Sequence, residues 1–277
     1  MTYAAPTDLD DALALIAGGG RPVAGGTDLY PALAGGAAPS GLVDLTRIPA
    51  LRGIARGPSG WRIGAATTWA EVARAPLPPA FDGLRAAARE VGSVQIQNAA
   101  TVAGNLVNAS PAADGVPPLL TLAAGLVLRS AGGTRRVALD AFLLGPRRTA
   151  LAPGEIVAAI EVPAPPAGAR AAFVKLGQRR YLVISVAMAA VLVWPDAQGR
   201  IAGARIAVGS CAPVARRLPA LEAVLAGRPW GEAGLPADPA LYAPLAPVDD
   251  VRGSAAYRAA AVPELVARAL AAAMSGG

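Results

Sequence analysis

The residues best suited to binding a ligand lie in one stretch, from Val91 to Leu120. Its centre, residues 101–114, reads TVAGNLVNASPAAD and is dense in small residues, hydroxyls and side-chain amides. Gly and Ala let a ligand approach the backbone closely, while Thr, Asn and Ser supply hydrogen bonds. Polar residues such as Asn105 and Asp114 make the stretch unsuited to an ordinary core strand. Taken alone, it could also be an irregular loop stabilised by its own Asx and Ser turns.

A second Gly-rich stretch lies near the N-terminus. Residues 21–24 read as a short extended segment that Gly25 and Gly26 end, and Thr27 or Asp28 can then begin a helix from Leu29. Backbone N–H groups at such a junction favour an anion, especially phosphate. Because strand–Gly–helix junctions are common, this pattern alone fits a structural turn as well as a phosphate site.

Two residue types that carry much of enzyme chemistry are scarce. The chain has no histidine and a single cysteine, Cys211. This excludes a disulfide framework, a cysteine-ligated zinc site, an iron–sulfur cluster held by this chain alone and a Ser-His-Asp triad. We expect Cys211 to be a small buried hydrophobe. Any chemistry must therefore be carried largely by something bound.

The charge pattern argues against nucleic acid and membrane partners. The formal charge is +6, but the arginine pairs are scattered and no run of five basic residues occurs. The N-terminus lacks the basic region of a signal peptide. The most apolar run, residues 181–194, is too short to span a bilayer, which needs ~20 residues. We therefore expect a cytoplasmic protein with no membrane span and no nucleic-acid partner.

Local patterns predict a mixed α and β chain. The spacing predicts a first helix capped at Thr7, a capping box from Thr68 to Glu71, and a helix over residues 81–91. A hairpin is predicted over residues 126–137, and a short helix over residues 117–124. Beyond residue 168 the pattern favours an antiparallel meander with helices at residues 218–226 and 262–274 on one face.

These elements predict two domains. The stretch from Pro163 to Gly168, rich in Pro and small residues, is the best boundary. We place one domain at residues 1–168, with α/β subdomains at about 1–57 and 58–168, and a small α+β domain with an antiparallel sheet at residues 169–277. The fold class is therefore α+β.

Four segments in order resemble one known family. The segments PVAGGTDL at residues 22–29 and TVAGN at residues 101–105 resemble the two FAD-binding motifs of the medium subunits of molybdenum hydroxylases. This family includes the flavoprotein subunits of bacterial xanthine dehydrogenase and aerobic carbon monoxide dehydrogenase. AFVK at residues 172–175 is similar to the segment opening its C-terminal domain, and DVRGSAAYR at residues 250–258 to its tail. The resemblance implies the FAD-binding fold of the p-cresol methylhydroxylase superfamily.

The resemblance also implies which residues bind FAD. Residues 23–29 would hold the pyrophosphate with backbone N–H groups, and residues 101–105 would supply the second half of that cradle. Asp114 and Val107 would lie along the cofactor near the flavin, Val157 would pack against the ring system, and Lys175 would reach the flavin region. No catalytic side chain and no metal ligand is implied. The implied FAD-binding residues are Val23, Ala24, Gly25, Gly26, Thr27, Asp28, Leu29, Thr101, Ala103, Gly104, Asn105, Val107, Asp114, Val157 and Lys175.

Two residues depart from the family's pattern, and the chain's lysine matches it. Ala103 stands where the family usually has the first of two glycines, and Gln97 where it usually has arginine. A methyl at position 103 is tolerable if the residue has negative φ and faces away from the phosphate. Lys175 is the sole lysine among 25 Lys and Arg residues. That coincidence with the family's lysine position favours a functional role over a solvated surface lysine.

The implied function is electron transfer within a complex. A large partner subunit would carry the molybdenum cofactor, a small partner subunit the iron–sulfur clusters, and the flavin of this chain would pass electrons to NAD, a quinone or O2. Two alternatives remain open on the sequence: a self-contained flavoenzyme of the same superfamily, and a non-catalytic nucleotide-binding or assembly module. The sequence does not identify the substrate, because the substrate would bind another polypeptide.

Overall fold

The N-terminal elements form a small parallel sheet. In the computed structural model, which describes residues 3–33, 36, 39–180 and 182–276, the strands of this sheet lie in the order β1-β3-β2. Leu13 and Ile16 pack beneath it with Val43 and Ile48. The elements are β1 (Tyr3–Ala4), α1 (Leu9–Ala17), β2 (Arg21–Val23), α2 (Leu29–Ala32) and β3 (Leu42–Asp44).

The first helix begins one residue later than the sequence pattern predicts. Asp8, not Thr7, is its N-cap, because the Asp8 carboxylate accepts from the amides of Asp10 and Asp11. An ionised carboxylate that accepts two amides satisfies donors that the helix itself leaves unpaired.

The middle elements surround a five-stranded antiparallel sheet with strand order β4-β5-β10-β6-β7. The predicted capping box is confirmed, since Thr68 and Glu71 exchange hydrogen bonds. The predicted hairpin is confirmed as β6–β7. The elements are β4 (Ile54–Gly57), β5 (Gly60–Gly64), α3 (Trp69–Arg74), α4 (Asp82–Glu90), α5 (Val94–Ala99), α6 (Val102–Asn108), α7 (Val116–Thr121), β6 (Gly125–Ser130), β7 (Gly133–Ala138), α8 (Leu139–Phe142), β8 (Leu143–Gly145), β9 (Arg148–Thr149) and β10 (Ile156–Pro163).

Strand β4 was not predicted, and it bears on the subdomain division. β4 pairs with β5 as an antiparallel hairpin, with Gly57 opposite Gly60. The subdomain boundary placed at about residue 57 therefore falls inside this hairpin, whose two strands belong to the middle sheet. The domain boundary near residue 168 stays a prediction.

The C-terminal elements form a four-stranded antiparallel sheet, as the meander predicts. The last helix begins at Ala255, seven residues before the predicted start, because the Ser254 hydroxyl caps it and Pro263 is accommodated inside it. The elements are β11 (Arg170–Leu176), β12 (Ala187–Pro195), β13 (Ile201–Gly209), β14 (Arg216–Arg217), α9 (Pro219–Leu225) and α10 (Ala255–Ser275). None of the described helices is long and apolar enough to cross a bilayer.

The C-terminal sheet is covered on both faces. Helices α9 and α10 pack on one face around a core that includes Val191, Val208 and Val266. Helices α4 and α7 of the middle region cover the other, where Ala87 packs with Met188. Helix α4 therefore holds the ligand-binding stretch, which begins directly after it, against the C-terminal sheet.

A buried arginine ties the last helix to this sheet. Arg258 is 2% exposed, and its guanidinium donates to the carbonyl of Val186, to that of Ser210 at 3.0 Å and to the Asp250 carboxylate at 2.5 Å. A planar fork can serve several acceptors at once, which an ammonium cannot do in the same geometry. Arg258 thus fixes the start of α10 on the ends of β12 and β13.

We expect Arg258→Lys to lower the apparent free energy of unfolding by about 2–4 kcal/mol, since it would leave buried acceptors unpaired. The measurement is urea unfolding followed by far-UV circular dichroism. Arg268→Lys is the matched control, because Arg268 is 68% exposed and, within the described part of the chain, pairs only with Glu264 on the same helix. We expect the control to change stability by less than about 0.5 kcal/mol. Equal losses of unfolding free energy in the two variants would contradict the role of Arg258 in fixing α10 on the sheet.

Candidate functional site

The two Gly-rich stretches of the sequence meet in the structure at Gly25. A Cβ added to Gly25 would lie 1.9 Å from the carbonyl oxygen of Ala99 and 3.0 Å from the Cα of Ala100. No side chain fits in that space. Gly26 follows with a φ of +67°, a left-handed conformation that favours glycine. The glycine pair therefore lets the first stretch lie directly against the backbone of the second.

The second stretch is helical. Residues 94–99 form α5 and residues 102–108 form α6, so the alternative of an irregular loop is wrong for this part. Backbone hydrogen bonds hold the start of α6 beside the start of α3, from Val102 N to Thr67 O at 2.9 Å and from Trp69 N to Ala100 O at 3.1 Å. Thr101 caps α6 by accepting from the Gly104 amide at 3.0 Å.

Three adjoining cavities form a continuous groove between these stretches. The central cavity, of about 590 Å³, lies between Gly25 and Asn105. It shares Val23 and Gly104 with an apolar cavity of about 110 Å³. It shares Asp28 and Asn105 with a third cavity of about 510 Å³. Of the fifteen residues predicted from the sequence, fourteen line this groove: residues 23–29, Thr101, Ala103, Gly104, Asn105, Val107, Asp114 and Val157.

The first stretch supplies the donors for an anion. The amides of Gly25, Gly26, Thr27 and Asp28 make no hydrogen bond to any described residue. By contrast, the amides of residues 102–105 are all occupied within the chain. The second stretch can therefore offer the groove side chains but few free amides. The resemblance implied that both stretches would supply backbone N–H groups, and the structure gives this role mainly to the first.

Two cations line the central cavity, Arg21 and Arg147. Arg147 lies 3.6 Å from the Asp28 carboxylate and donates to the side-chain oxygen of Asn108. Its backbone is left-handed, with a φ of +57°. Sequence reasoning missed Arg147 and Asn108 as a pair, because 39 residues separate them and no local pattern connects them.

A buried ion pair lies at the end of the third cavity. Lys175 Nζ lies 2.8 Å from Asp114 Oδ2, and the Ser185 hydroxyl donates to Asp114 Oδ1 at 2.6 Å. Lys175 Nζ also donates to the carbonyl of Glu90 at 3.2 Å. The two charged side chains are 8% and 9% exposed. Burial raises the pKa of the Asp114 carboxyl, and the Lys175 ammonium and the Ser185 hydroxyl oppose that rise.

Lys175 is the one predicted site residue that does not line the groove. Its side chain points at Asp114, which does line the groove, so Lys175 can act on a ligand only through Asp114 or through its field. Because it is almost fully buried, the alternative of a solvated surface lysine does not hold.

The structure accommodates Ala103 and Gln97, the two residues that depart from the family pattern. Ala103 is the second residue of α6, so its φ is helical, and it is 6% exposed with its side chain in the apolar core. The Gln97 side chain donates to the carbonyl of Arg89 at 2.9 Å. Neither residue obstructs the groove, and Gln97 replaces a positive charge with a hydrogen bond to the end of α4.

Cys211 is buried, as expected, and burial raises the pKa of its thiol to about 11. It does not line the groove. Among the described residues, no group of three or more His, Cys, Asp or Glu side chains could hold a metal ion.

A larger cavity of about 1000 Å³ lies elsewhere, between the middle and C-terminal sheets. Seven prolines and two tryptophans, Trp61 and Trp230, contribute to its walls. None of the predicted site residues lines it, and it has no comparable set of unused amides. We therefore place the ligand site in the groove, although the other cavity is larger than any single cavity of the groove.

The groove fits an elongated ligand with an anionic centre. Free amides and two arginines line its middle, and an apolar cavity with Val107 and Val157 adjoins it. Two buried polar atoms at its floor, Trp69 Nε1 and Asn105 Oδ1, have no partner within the described residues. A dinucleotide such as FAD has the matching chemistry, with a diphosphate between two ring systems.

Comparison with known families supports this assignment over nearly the whole chain. Residues 1–165 match the FAD binding domain in molybdopterin dehydrogenase, and residues 172–273 match the CO dehydrogenase flavoprotein C-terminal domain.

Individual relatives span nearly the whole chain. The 6-hydroxypseudooxynicotine dehydrogenase complex subunit alpha of Paenarthrobacter nicotinovorans is 33% identical over 98% of this chain and 94% of its own length. The carbon monoxide dehydrogenase medium chain of Hydrogenophaga pseudoflava is 32% identical over 97% and 95%. A solved structure of Cu,Mo-CO dehydrogenase in its cyanide-inactivated form superposes with a TM-score of 0.89 at 30% identity, covering 100% of this chain and 98% of that one. The chain therefore belongs to the family of FAD-binding subunits of molybdopterin dehydrogenases of the CO dehydrogenase type, and FAD is the cofactor that it binds.

Proposed function

We propose that this chain is the electron-transfer flavoprotein of a molybdenum-containing hydroxylase or dehydrogenase complex. It would receive electrons from a small iron–sulfur subunit, which in turn serves a large subunit with the molybdenum cofactor. The final acceptor would be NAD, a quinone or O2. The observation that carries the proposal is the groove lined by both Gly-rich stretches, in a chain without histidine and with one buried cysteine.

The chain's own residues would bind and orient FAD. The unused amides of residues 25–28 would donate to the diphosphate, and Arg147 would balance its charge beside Asp28. Val107 and Val157 offer apolar surface for a ring system. When bound, FAD would supply the redox chemistry, accepting electrons and passing them on.

The division of labour among subunits follows from what this chain lacks. Its composition offers no cysteine set for an iron–sulfur cluster and no imidazole for proton transfer. Relatives that match over nearly their full length are described as a complex subunit and as a medium chain. Substrate hydroxylation would accordingly occur on a partner. The cytoplasmic location inferred from the sequence stays a prediction.

Lys175 and Asp114 would set the charge at the third cavity. The ammonium orients the buried carboxyl and favours its ionised form, since it opposes the rise in the pKa of Asp114 that burial causes. As the pair is almost neutral overall, its influence on bound flavin depends on which of the two charges lies closer. Asp114 lines the cavity and Lys175 lies behind it.

We expect the purified chain to hold FAD non-covalently, because the groove contains no histidine or cysteine. Acid precipitation should release all of the flavin to the supernatant, where chromatography should identify FAD.

Gly104→Val should abolish flavin binding, since the valine side chain would enter the groove and crowd the Thr101 hydroxyl, 2.9 Å from the added Cβ.

Gly234→Val is the control for this experiment, because a Cβ at Gly234 would meet nothing within 4 Å. It should keep the wild-type flavin content. Flavin that stays in the protein pellet, or a Gly104→Val chain with full FAD, would contradict the proposed site.

Opposite shifts in redox potential are expected when the two charges are removed singly. Two-electron reduction adds negative charge to a flavin, so Lys175→Met should lower the potential and Asp114→Asn should raise it. A change of ~1.4 kcal/mol corresponds to about 30 mV for a two-electron couple, and we expect shifts of that order. Lys175→Arg keeps the positive charge, so it should not lower the potential as Lys175→Met does.

The Lys175→Met shift should also depend on pH. Without the ammonium, the pKa of the buried Asp114 carboxyl rises further, because burial is then opposed only by Ser185. At high pH the carboxylate stays ionised and the potential falls below wild type. As the pH drops through the raised pKa, the carboxyl takes up a proton and the difference disappears. Spectroelectrochemical titration of both proteins tests this, and identical potentials at every pH would refute the role.

The proposed division of labour predicts the metal content of the chain. The pure chain should contain no stoichiometric iron or molybdenum by mass spectrometry, and substrate should not reduce its flavin. Co-expression with an iron–sulfur subunit and a molybdenum subunit should give a complex in which substrate reduces the flavin. Stoichiometric metal on the single chain would overturn the proposal.

A further inference from the structure

Two buried polar atoms at the floor of the groove make no hydrogen bond within the described residues. They are Trp69 Nε1 and Asn105 Oδ1, and Trp69 is fully buried. Buried donors and acceptors in folded proteins are nearly always paired. One of these atoms is a donor and the other an acceptor, so each could satisfy the other.

The two side chains meet over the same glycine. A Cβ built on Gly115 would lie 2.2 Å from Trp69 Cη2 and 3.1 Å from Asn105 Oδ1. Both residues are held at defined positions by their backbones. Trp69 opens α3 and donates its amide to Ala100 at 3.1 Å, and Asn105 lies in α6 and donates its amide to Thr101 at 3.1 Å. The two side chains therefore reach the same point above Gly115 from α3 and α6, although they are not hydrogen-bonded to each other as they stand.

The amide nitrogen of Asn105 behaves differently from its oxygen. It makes no hydrogen bond to a described residue and is not among the buried unpaired atoms, so it has access to the groove that Asn105 lines. The two ends of an asparagine amide are similar in shape, and its neighbours decide which way it faces. An indole N–H is a donor only. It therefore favours the oxygen inward and the NH2 group toward the groove.

We propose that Trp69 is a positioning residue for the cofactor's diphosphate. With the cofactor bound, its indole N–H would donate to Asn105 Oδ1 and hold the amide with the oxygen inward, so that Asn105 Nδ2 would donate to an anionic diphosphate oxygen. The diphosphate is the ligand group because the unused amides of residues 25–28 line the same cavity. This inference rests on the proposed binding of FAD in the groove.

A double-mutant cycle separates positioning from general support of the fold. Trp69→Phe keeps a ring and removes the donor. It should weaken FAD binding by the apoprotein about tenfold, equivalent to about 1.4 kcal/mol. In an Asn105→Ala background the same change should weaken binding less than twofold, because there is no amide left to orient. Titration calorimetry with FAD measures all four proteins.

Trp61→Phe is the matched control. Trp61 packs edge-on against Phe81, with centroids 5.5 Å apart, and lines the other cavity. It should bind FAD with wild-type affinity.

A second measurement uses the unmutated protein, in case Trp69→Phe does not fold. The chain has four tryptophans, and ¹⁵N-labelled tryptophan gives one indole N–H signal for each. Comparison with the Trp61→Phe, Trp194→Phe and Trp230→Phe proteins assigns the remaining signal to Trp69. That proton should be protected from exchange with solvent in FAD-loaded protein, and its protection should fall in FAD-loaded Asn105→Ala.

The outcomes distinguish this inference from the proposed function. If the unmutated chain binds no FAD, the proposed function itself fails. If FAD binds but the two substitutions weaken binding additively, Trp69 supports packing only and the positioning role is refuted. Equal protection of the indole proton with and without the Asn105 amide would refute it independently.

Discussion

The groove depends on the contact of two backbone segments at Gly25 and Ala99. An oxygen of the second segment lies where any larger residue at position 25 would place its Cβ. This close approach brings the unused amides of the first stretch to the side chains of the second. Backbone ties from Thr67 and Trp69 to residues 100–102 then fix the second stretch against α3. The absence of a side chain at Gly25 thus allows two stretches about 75 residues apart in the sequence to form one site.

Features set by neighbouring residues were predictable, and those set by distant contacts were not. The Thr68–Glu71 capping box and the β6–β7 hairpin are local patterns, and both are present. The burial of Cys211 follows from its apolar neighbours. Arg147 was missed because its partner, Asn108, lies elsewhere in the chain. Trp69 was missed because the role proposed for it depends on Asn105, which also lies far along the sequence. The late start predicted for α10 has a different cause, since Pro263 marks a break in many helices but is tolerated in this one.

The family motifs indicated which two stretches line the groove. The structure shows that the two stretches contribute different groups to it. A glycine motif indicates close backbone approach but does not say which amides are free. Here the amides after Thr101 are used for the fold, whereas those after Ala24 are not. Likewise, the lone lysine lies buried behind Asp114, and its place near a bound flavin stays a prediction. A buried ion pair is costly to desolvate unless further hydrogen bonds satisfy it, and Ser185 and the carbonyl of Glu90 provide them.

The solitary lysine has a practical consequence. Because every other basic side chain of this sequence is arginine, feeding isotopically labelled lysine to cells would place one labelled side chain in these 277 residues, directly behind the groove. Its ammonium is shielded from solvent, so proton exchange should be slow enough for its signal to be observed. Nuclear magnetic resonance could then follow events at this end of the groove through a single resonance, without attaching a probe or altering a residue.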